Sequence, residues 1–270
     1  MRTSILFCGA LCALAIGMGS CSADGSGDFT PNIFSLEDDI NFGRQADSAI
    51  MANPAEYPVL NRAQFPASYA YIEKIRNKIL NSGQVFYKDK FAWEIKIIRD
   101  DNTLNAFCTP GGYIYVYTGL IKFLDHESEL AGVLGHEMAH ADRRHSTDQL
   151  TQQLGLSTLL DIVLGKNQGA LSNIGQTLLS LSFSRNQESE ADDYSVMYLC
   201  PTDYSANGAA GFFDKLISQG SSGGTPTFLS THPGPEDRVT KINSKRNDLG
   251  CTGSNNYDAD YSNFKAGLPN

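Results

Sequence analysis

Two histidines four residues apart enclose a carboxylate in the string His136-Glu137-Met138-Ala139-His140. On an α-helix, side chains at i and i+4 lie one above the other. Two imidazoles at that spacing can therefore meet one face of a metal ion, with Glu137 beside them. Downstream, Glu188-Ser189-Glu190-Ala191-Asp192 offers acidic groups at the same helical spacing. Imidazole and carboxylate donors together suit zinc. The chemistry they imply is hydrolysis, in which the metal activates water and polarises a carbonyl while Glu137 carries the proton.

A catalytic zinc site needs three protein ligands and an open position, so the third ligand separates the alternatives. The HExxHxxGxxH spacing is not met. Arg143 stands at its glycine position, Ser146 at its third-histidine position, and His145 falls one residue short. The other arrangement takes a Glu from a later helix, with an Asp one turn on that fixes the tautomer of a ligand histidine. Glu188 and Asp192 fit these roles, and Asp192 is expected to orient His136. Glu190 is the rival ligand, but it lies about 160° around the helix from Asp192, whereas Glu188 shares its face. Standing alone, this segment also reads as a solvated acidic face. Its pairing with the HExxH string favours the ligand reading.

Both segments have helical context. Leu130, Val133 and Leu134 form one stripe, Asp125 is the expected N-cap, and Glu127 and Glu129 suit a first turn, predicting one helix over 125–153. Residues 185–199 read as a second helix, with Ala191, Tyr194, Ser195 and Tyr198 on one side and no proline before Pro201. Periodicity further predicts helices over 36–51 and 68–81 and strands over 93–99 and 112–118. The second strand alternates Tyr113, Tyr115 and Tyr117 against Ile114 and Val116, as in a sheet with one covered face. Before it, Pro110-Gly111-Gly112 reads on its own as an ordinary turn. The Leu-rich stretches 154–164 and 170–183 flank a Gly-bounded turn and predict a helical hairpin, either core or lid. Residues 218–230, with Gly220, Gly223, Gly224 and Pro226, predict a flexible loop.

At this point four ordered motifs resemble metallopeptidase family 48, which includes the CAAX prenyl proteases and the HtpX- and BepA-like proteases. They are Asn105-Ala106-Phe107-Cys108-Thr109-Pro110-Gly111-Gly112-Tyr113-Ile114; residues 129–140 followed by Arg144-His145; Ser184-Arg185 leading into Glu188 and Asp192; and Thr231-His232-Pro233 followed by Arg238. The departures are Cys108, at a position more often held by a smaller residue, and Gly208-Ala209-Ala210, where bulkier residues are usual. The resemblance implies an α+β, mainly helical zincin fold of the gluzincin type, with a small sheet whose edge strand flanks the cleft. It assigns the strand over 112–118 to that border, pairing with extended polypeptide substrate. It implies one Zn²⁺ per chain on His136, His140 and Glu188, with Glu137 and Asp192 in the catalytic machinery. It also turns His232 and Arg238 toward the cleft. There His232 either stabilises the transition state or fills the metal's open position. The expected activity is that of a zinc-dependent endopeptidase degrading misfolded or misassembled proteins of the bacterial cell envelope. A metal-containing chaperone or scaffold, and a zinc hydrolase acting on something other than peptides, are the alternatives.

The remainder of the chain sets the surroundings. Arg2, an apolar run over 5–16 and small residues before Cys21 resemble a lipoprotein signal over 1–20, with a polar tether over 21–30 and a single domain over 31–270. The expected location is thus exported, in the periplasm or at the outer membrane, held by lipid on Cys21. Among the 6 cysteines, Cys8 and Cys12 leave with the signal. Cys200 ends the second metal helix and Cys251 lies in a Gly/Asn-rich tail, so a bridge between them would pin the tail and leave Cys108 as a buried apolar residue. A net charge of -9 without a basic stripe argues against a nucleic-acid partner.

Overall fold

The computed structural model describes residues 32–154, 178, 181–219, 227–232 and 237–269. The signal, the tether, most of the predicted hairpin and the Gly-rich part of the predicted loop lie outside them. The elements are α1 (Leu36–Met51), α2 (Pro66–Leu80), β1 (Glu94–Ile98), β2 (Ala106–Thr109), a 3₁₀ turn (Pro110–Gly112), β3 (Tyr113–Tyr117) and α3 (Thr118–Phe123). There follow α4 (Glu127–Asp142), α5 (His145–Gln153), α6 (Arg185–Leu199), α7 (Gly208–Gln219), α8 (Thr227–Thr231), α9 (Arg238–Asp248) and α10 (Asp258–Ala266). A mainly helical α+β fold with one small sheet is what results.

Every residue of α4 is buried. Its predicted apolar stripe is therefore only one of several packed faces, because α6 and α7 lie against it as well as the sheet. Gly132 makes the α7 contact possible: a Cβ there would stand 2.1 Å from the Ala209 backbone nitrogen. This close crossing also accounts for the small residues Gly208-Ala209-Ala210. On the α6 side, Ser195 Oγ donates to the Gly132 carbonyl at 2.7 Å.

Three local expectations change. The N-cap of α4 is His126 rather than Asp125. Glu129 Oε2 folds back to accept from the backbone nitrogens of Asp125 and His126, at 2.7 and 3.2 Å, while the Asp125 carboxylate pairs outward with Lys215. The predicted long helix ends at Asp142, because Arg144 takes a left-handed conformation (φ 62°) before α5 starts. Its guanidinium holds that turn by donating to Asp39 and to the carbonyls of Phe34 and Ser35.

The third change concerns the sheet, whose order is β1-β3-β2. β3, expected at the edge beside the cleft, is the central strand, parallel to β1 and antiparallel to β2. β1 and β2 are the two edges; β2, the edge that packs against α4, was not revealed by periodicity because it is only four residues long. Nor is one face of β3 open. Ile114 and Val116 enter the main core, while Tyr115 and Tyr117 join Ile50 of α1 and Ile98 in a second cluster. The Tyr115 hydroxyl donates to Asp47 of α1, which Lys96 of β1 also meets, so the polar ends on that face are paired. Between β2 and β3, Gly111 (φ 74°) and Gly112 (φ 84°) make the tight reversal.

Candidate metal centre

Four side chains from three segments of the sequence converge. One ligating atom from each of His136, His140, Glu188 and His232 lies within 4.8 Å of the others, and all four residues are buried. α4 supplies the two histidines one turn apart, α6 brings Glu188 across from the packed face, and His232 follows α8. The Nε2 atoms of His136 and His140 are 3.0 Å apart, and they lie 3.4 and 3.5 Å from the two Glu188 oxygens. The edges of a tetrahedron of donors around zinc run to about 3.3 Å with ordinary Zn–N bonds.

The tautomers are set from behind. His136 Nδ1 donates to Asp192 Oδ1 at 2.9 Å, leaving its Nε2 as a lone pair. The Thr231 hydroxyl donates to the Phe228 carbonyl, so its oxygen accepts from His232 Nδ1 at 2.9 Å, and His232 Nε2 likewise carries a lone pair. Phe228 stacks on the His232 ring and Phe183 on that of His140, with centroids 4.4 and 3.9 Å away. These contacts hold the rings without competing for their nitrogens.

Whether a cation fits is answered by what lacks a partner. Both Glu188 oxygens, both Glu137 oxygens and His232 Nε2 are buried without a hydrogen bond, a costly condition for polar atoms unless a ligand meets them. Ionised, the three carboxylates of Glu137, Glu188 and Asp192 face one guanidinium, that of Arg238, leaving two negative charges that a divalent cation would balance. Burial pulls His136 down, yet Asp192 and Glu188 outweigh it and lift the imidazole to about 9, so positive charge is favoured here. Burial pushes His232 down to about 3, which keeps it a neutral donor. For Glu137, burial and the nearby Glu188 charge push the carboxyl up to about 8 against His136 and Arg238. His136, His140, Glu188 and His232 form a donor set suited to zinc.

Arg238 is placed differently from expectation. Its guanidinium donates to both Asp192 oxygens, from Nε at 2.7 Å and Nη2 at 2.5 Å, and its Nη1 lies 3.1 Å from Glu188 Oε2. With its guanidinium carbon 4.0 Å from the centre of the Phe213 ring, it is committed to Asp192 behind the donor set and to Glu188 within it. His232 does reach the centre, 3.5 Å from Glu137 Oε1. Glu190, the rejected rival, points away to Arg143 and His145.

Sequence reasoning overlooked two supports. Asp142, at the end of α4, accepts from the backbone nitrogens of Phe86 and Tyr87 and from the Tyr198 hydroxyl, at 3.0, 2.7 and 2.7 Å. A carboxylate is unfavourable at a helix C-terminus, and three donors offset that. The other is His145, whose Nδ1 lies 3.0 Å from His140 Nδ1. Its position beside the HExxH string was the available signal.

A family model described as "Peptidase family M48" matches residues 66–246. Among curated proteins, the chain is similar to the mitochondrial metalloendopeptidase OMA1 of Schizosaccharomyces pombe, 30% identical over 206 residues, covering 74% of this chain and 59% of that protein. It is similar to a putative beta-barrel assembly-enhancing protease of Vibrio cholerae, 29% identical over 197 residues, covering 68% of this chain and 39% of that one. Metalloprotease LoiP of Escherichia coli is 28% identical over 187 residues, covering 67% of this chain and 72% of its own length. The first two relatives are thus considerably longer than the part this chain spans. Since the matched region takes in the whole donor set from His136 to His232, similarity and geometry converge on one assignment, and the chain belongs to peptidase family M48.

Proposed function

We propose that this protein is a zinc-dependent endopeptidase of the bacterial cell envelope that degrades misfolded or misassembled envelope proteins. The observation carrying this reading is the buried donor set, in which the Glu188 oxygens and His232 Nε2 lack a hydrogen bond, with the Glu137 carboxyl beside it. His136, His140 and Glu188 would hold the ion, with His232 as a fourth donor. When bound, zinc supplies a Lewis acid that polarises a carbonyl and makes water more acidic. Glu137 is the proton carrier: a carboxyl whose burial raises its proton affinity can take a proton from the attacking water, keep it, and deliver it to the leaving amine. Asp192 and Arg238 keep His136 and Glu188 in place.

Substrate would lie extended along β2, the edge strand that packs against α4 and runs directly into the Pro110–Gly112 turn. Envelope location is supported by relatives named as beta-barrel assembly-enhancing proteases and by the Cys200–Cys251 disulfide, which suits an oxidising compartment. No described helix is long and apolar enough to cross a membrane. A lipid on Cys21 would supply the attachment; mass spectrometry of the N-terminal peptide should find acyl chains there, and an unmodified terminus beginning beyond Cys21 would refute it.

The deciding experiment pairs two variants. Glu137→Gln should keep about one equivalent of zinc and lose cleavage of an unfolded protein such as casein, whereas Glu188→Ala should lose both. Undiminished cleavage by Glu137→Gln would overturn the mechanism, whereas a zinc-loaded wild type that cleaves nothing would favour a scaffold role.

A further inference from the structure

We propose that His145 and Glu190 form a relay that positions His140, separate from the Asp192–Arg238 pair that positions His136. The inference rests on the metal reading above. His145 is 3% exposed, and its ring lies between His140 and Glu190. One nitrogen, Nδ1, is 3.0 Å from His140 Nδ1; the other, Nε2, is 3.3 Å from Glu190 Oε2. The remaining Glu190 oxygen accepts from Arg143 Nε at 2.8 Å, which holds the carboxylate in place.

With His145 as the neutral imidazole, the hydrogen bonds allow one order of protons. A carboxylate only accepts, so His145 Nε2 carries the hydrogen and its Nδ1 is an acceptor. His140 Nδ1 must then be the donor, and His140 Nε2 is left as the lone pair facing Glu188 and His136. The relay thus does for His140 what Asp192 does for His136. His145 is not itself a ligand, because it meets His140 on the edge opposite the donor set.

Backbone geometry shows why the break in the helix matters. In a continuous helix, residue 145 would lie about 140° around and 7.5 Å along from residue 140, out of reach of its ring. The left-handed Arg144, an uncommon conformation for a residue with a Cβ, folds the chain so that His145 turns back onto His140. Gln187 of α6 then bonds Asp148 of α5 at 2.9 Å, securing the new direction.

The test measures zinc dissociation constants by competition with a chromophoric chelator, on the full chain and on His145→Ala and His145→Asn. Asn places an acceptor oxygen near the position of Nδ1. The expected result is a loss of zinc affinity in the Ala variant of roughly ten- to a hundredfold, with most of it regained in the Asn variant at matched thermal stability of the metal-free proteins. Equal affinities in the Ala and Asn variants would overturn the relay. On the zinc-loaded wild type, long-range ¹H–¹⁵N spectra should show His140 protonated at Nδ1 and His145 at Nε2; the reverse pattern overturns it without any variant. A wild-type chain with no measurable zinc affinity would overturn the metal reading and the relay with it, whereas wild-type binding left unchanged by His145→Ala defeats the relay alone.

Discussion

At the scale of single residues, His232 is where geometry narrows the chemistry most. Its Nε2 stands among the ligating atoms rather than at a distance from them, and its neutral state and fixed tautomer both suit a donor. We propose that it would occupy the fourth position of a bound metal. His232→Ala should therefore retain zinc and raise basal cleavage of a short peptide, measured as kcat alongside metal content. A fall in kcat of about a hundredfold would instead assign it a transition-state hydrogen bond. Arg238 does not compete for that role, since its donors are directed at Asp192 and Glu188.

At the scale of elements, the site depends on how closely helices approach α4. Gly132 lies mid-helix, where Ala would ordinarily stabilise by about 1 kcal/mol through propensity. Here a Cβ would meet the Ala209 nitrogen at 2.1 Å, backbone against backbone, so neither side yields easily. Overpacking of this kind costs about 1–3 kcal/mol, enough to outweigh the propensity gain. Gly132→Ala should lower the melting temperature, and a rise would show that α7 can shift without penalty. At its N-terminus α6 is capped by Ser184, which accepts from the Gln187 nitrogen while Gln187 bonds back. This box fixes where α6 begins, one turn before Glu188. Such caps are typically worth about 1 kcal/mol.

At the scale of the whole molecule, the disulfide between Cys200 and Cys251 joins the end of α6 to the segment after α9 across a separation of 51 residues. Closing a loop of that length contributes about 4 kcal/mol in the chain-entropy account. Reduction, or the double change Cys200→Ser with Cys251→Ser, should lower the unfolding free energy in denaturant titrations by roughly 2–4 kcal/mol. Zinc content should persist, because none of the donors lies near the bridge in sequence except through α6. An unchanged midpoint would mean that the tail is held by Tyr261, Phe264 and the rest of its core contacts without covalent help.

The sequence by itself determined the local chemistry. An HExxH string in a helical run, and a Glu and Asp one turn apart, define faces by periodicity, and periodicity needs no partner. Spacing put Glu188 and Asp192 on one helix face and Glu190 off it, and residue type made a Cys200–Cys251 bridge the candidate pairing, which the structure forms. Only the tertiary structure decided which strand lies in the middle of the sheet and which form its edges, because strand order depends on long-range pairing that alternation along one segment does not encode. The same holds for Arg238, whose role is set by contact with residues 46 and 50 positions earlier. It also holds for His145, which reaches His140 only because a left-handed residue, held by Asp39 from another helix, interrupts α4. Backbone conformation at that turn is stabilised by a partner 105 residues away, and no window of sequence contains both.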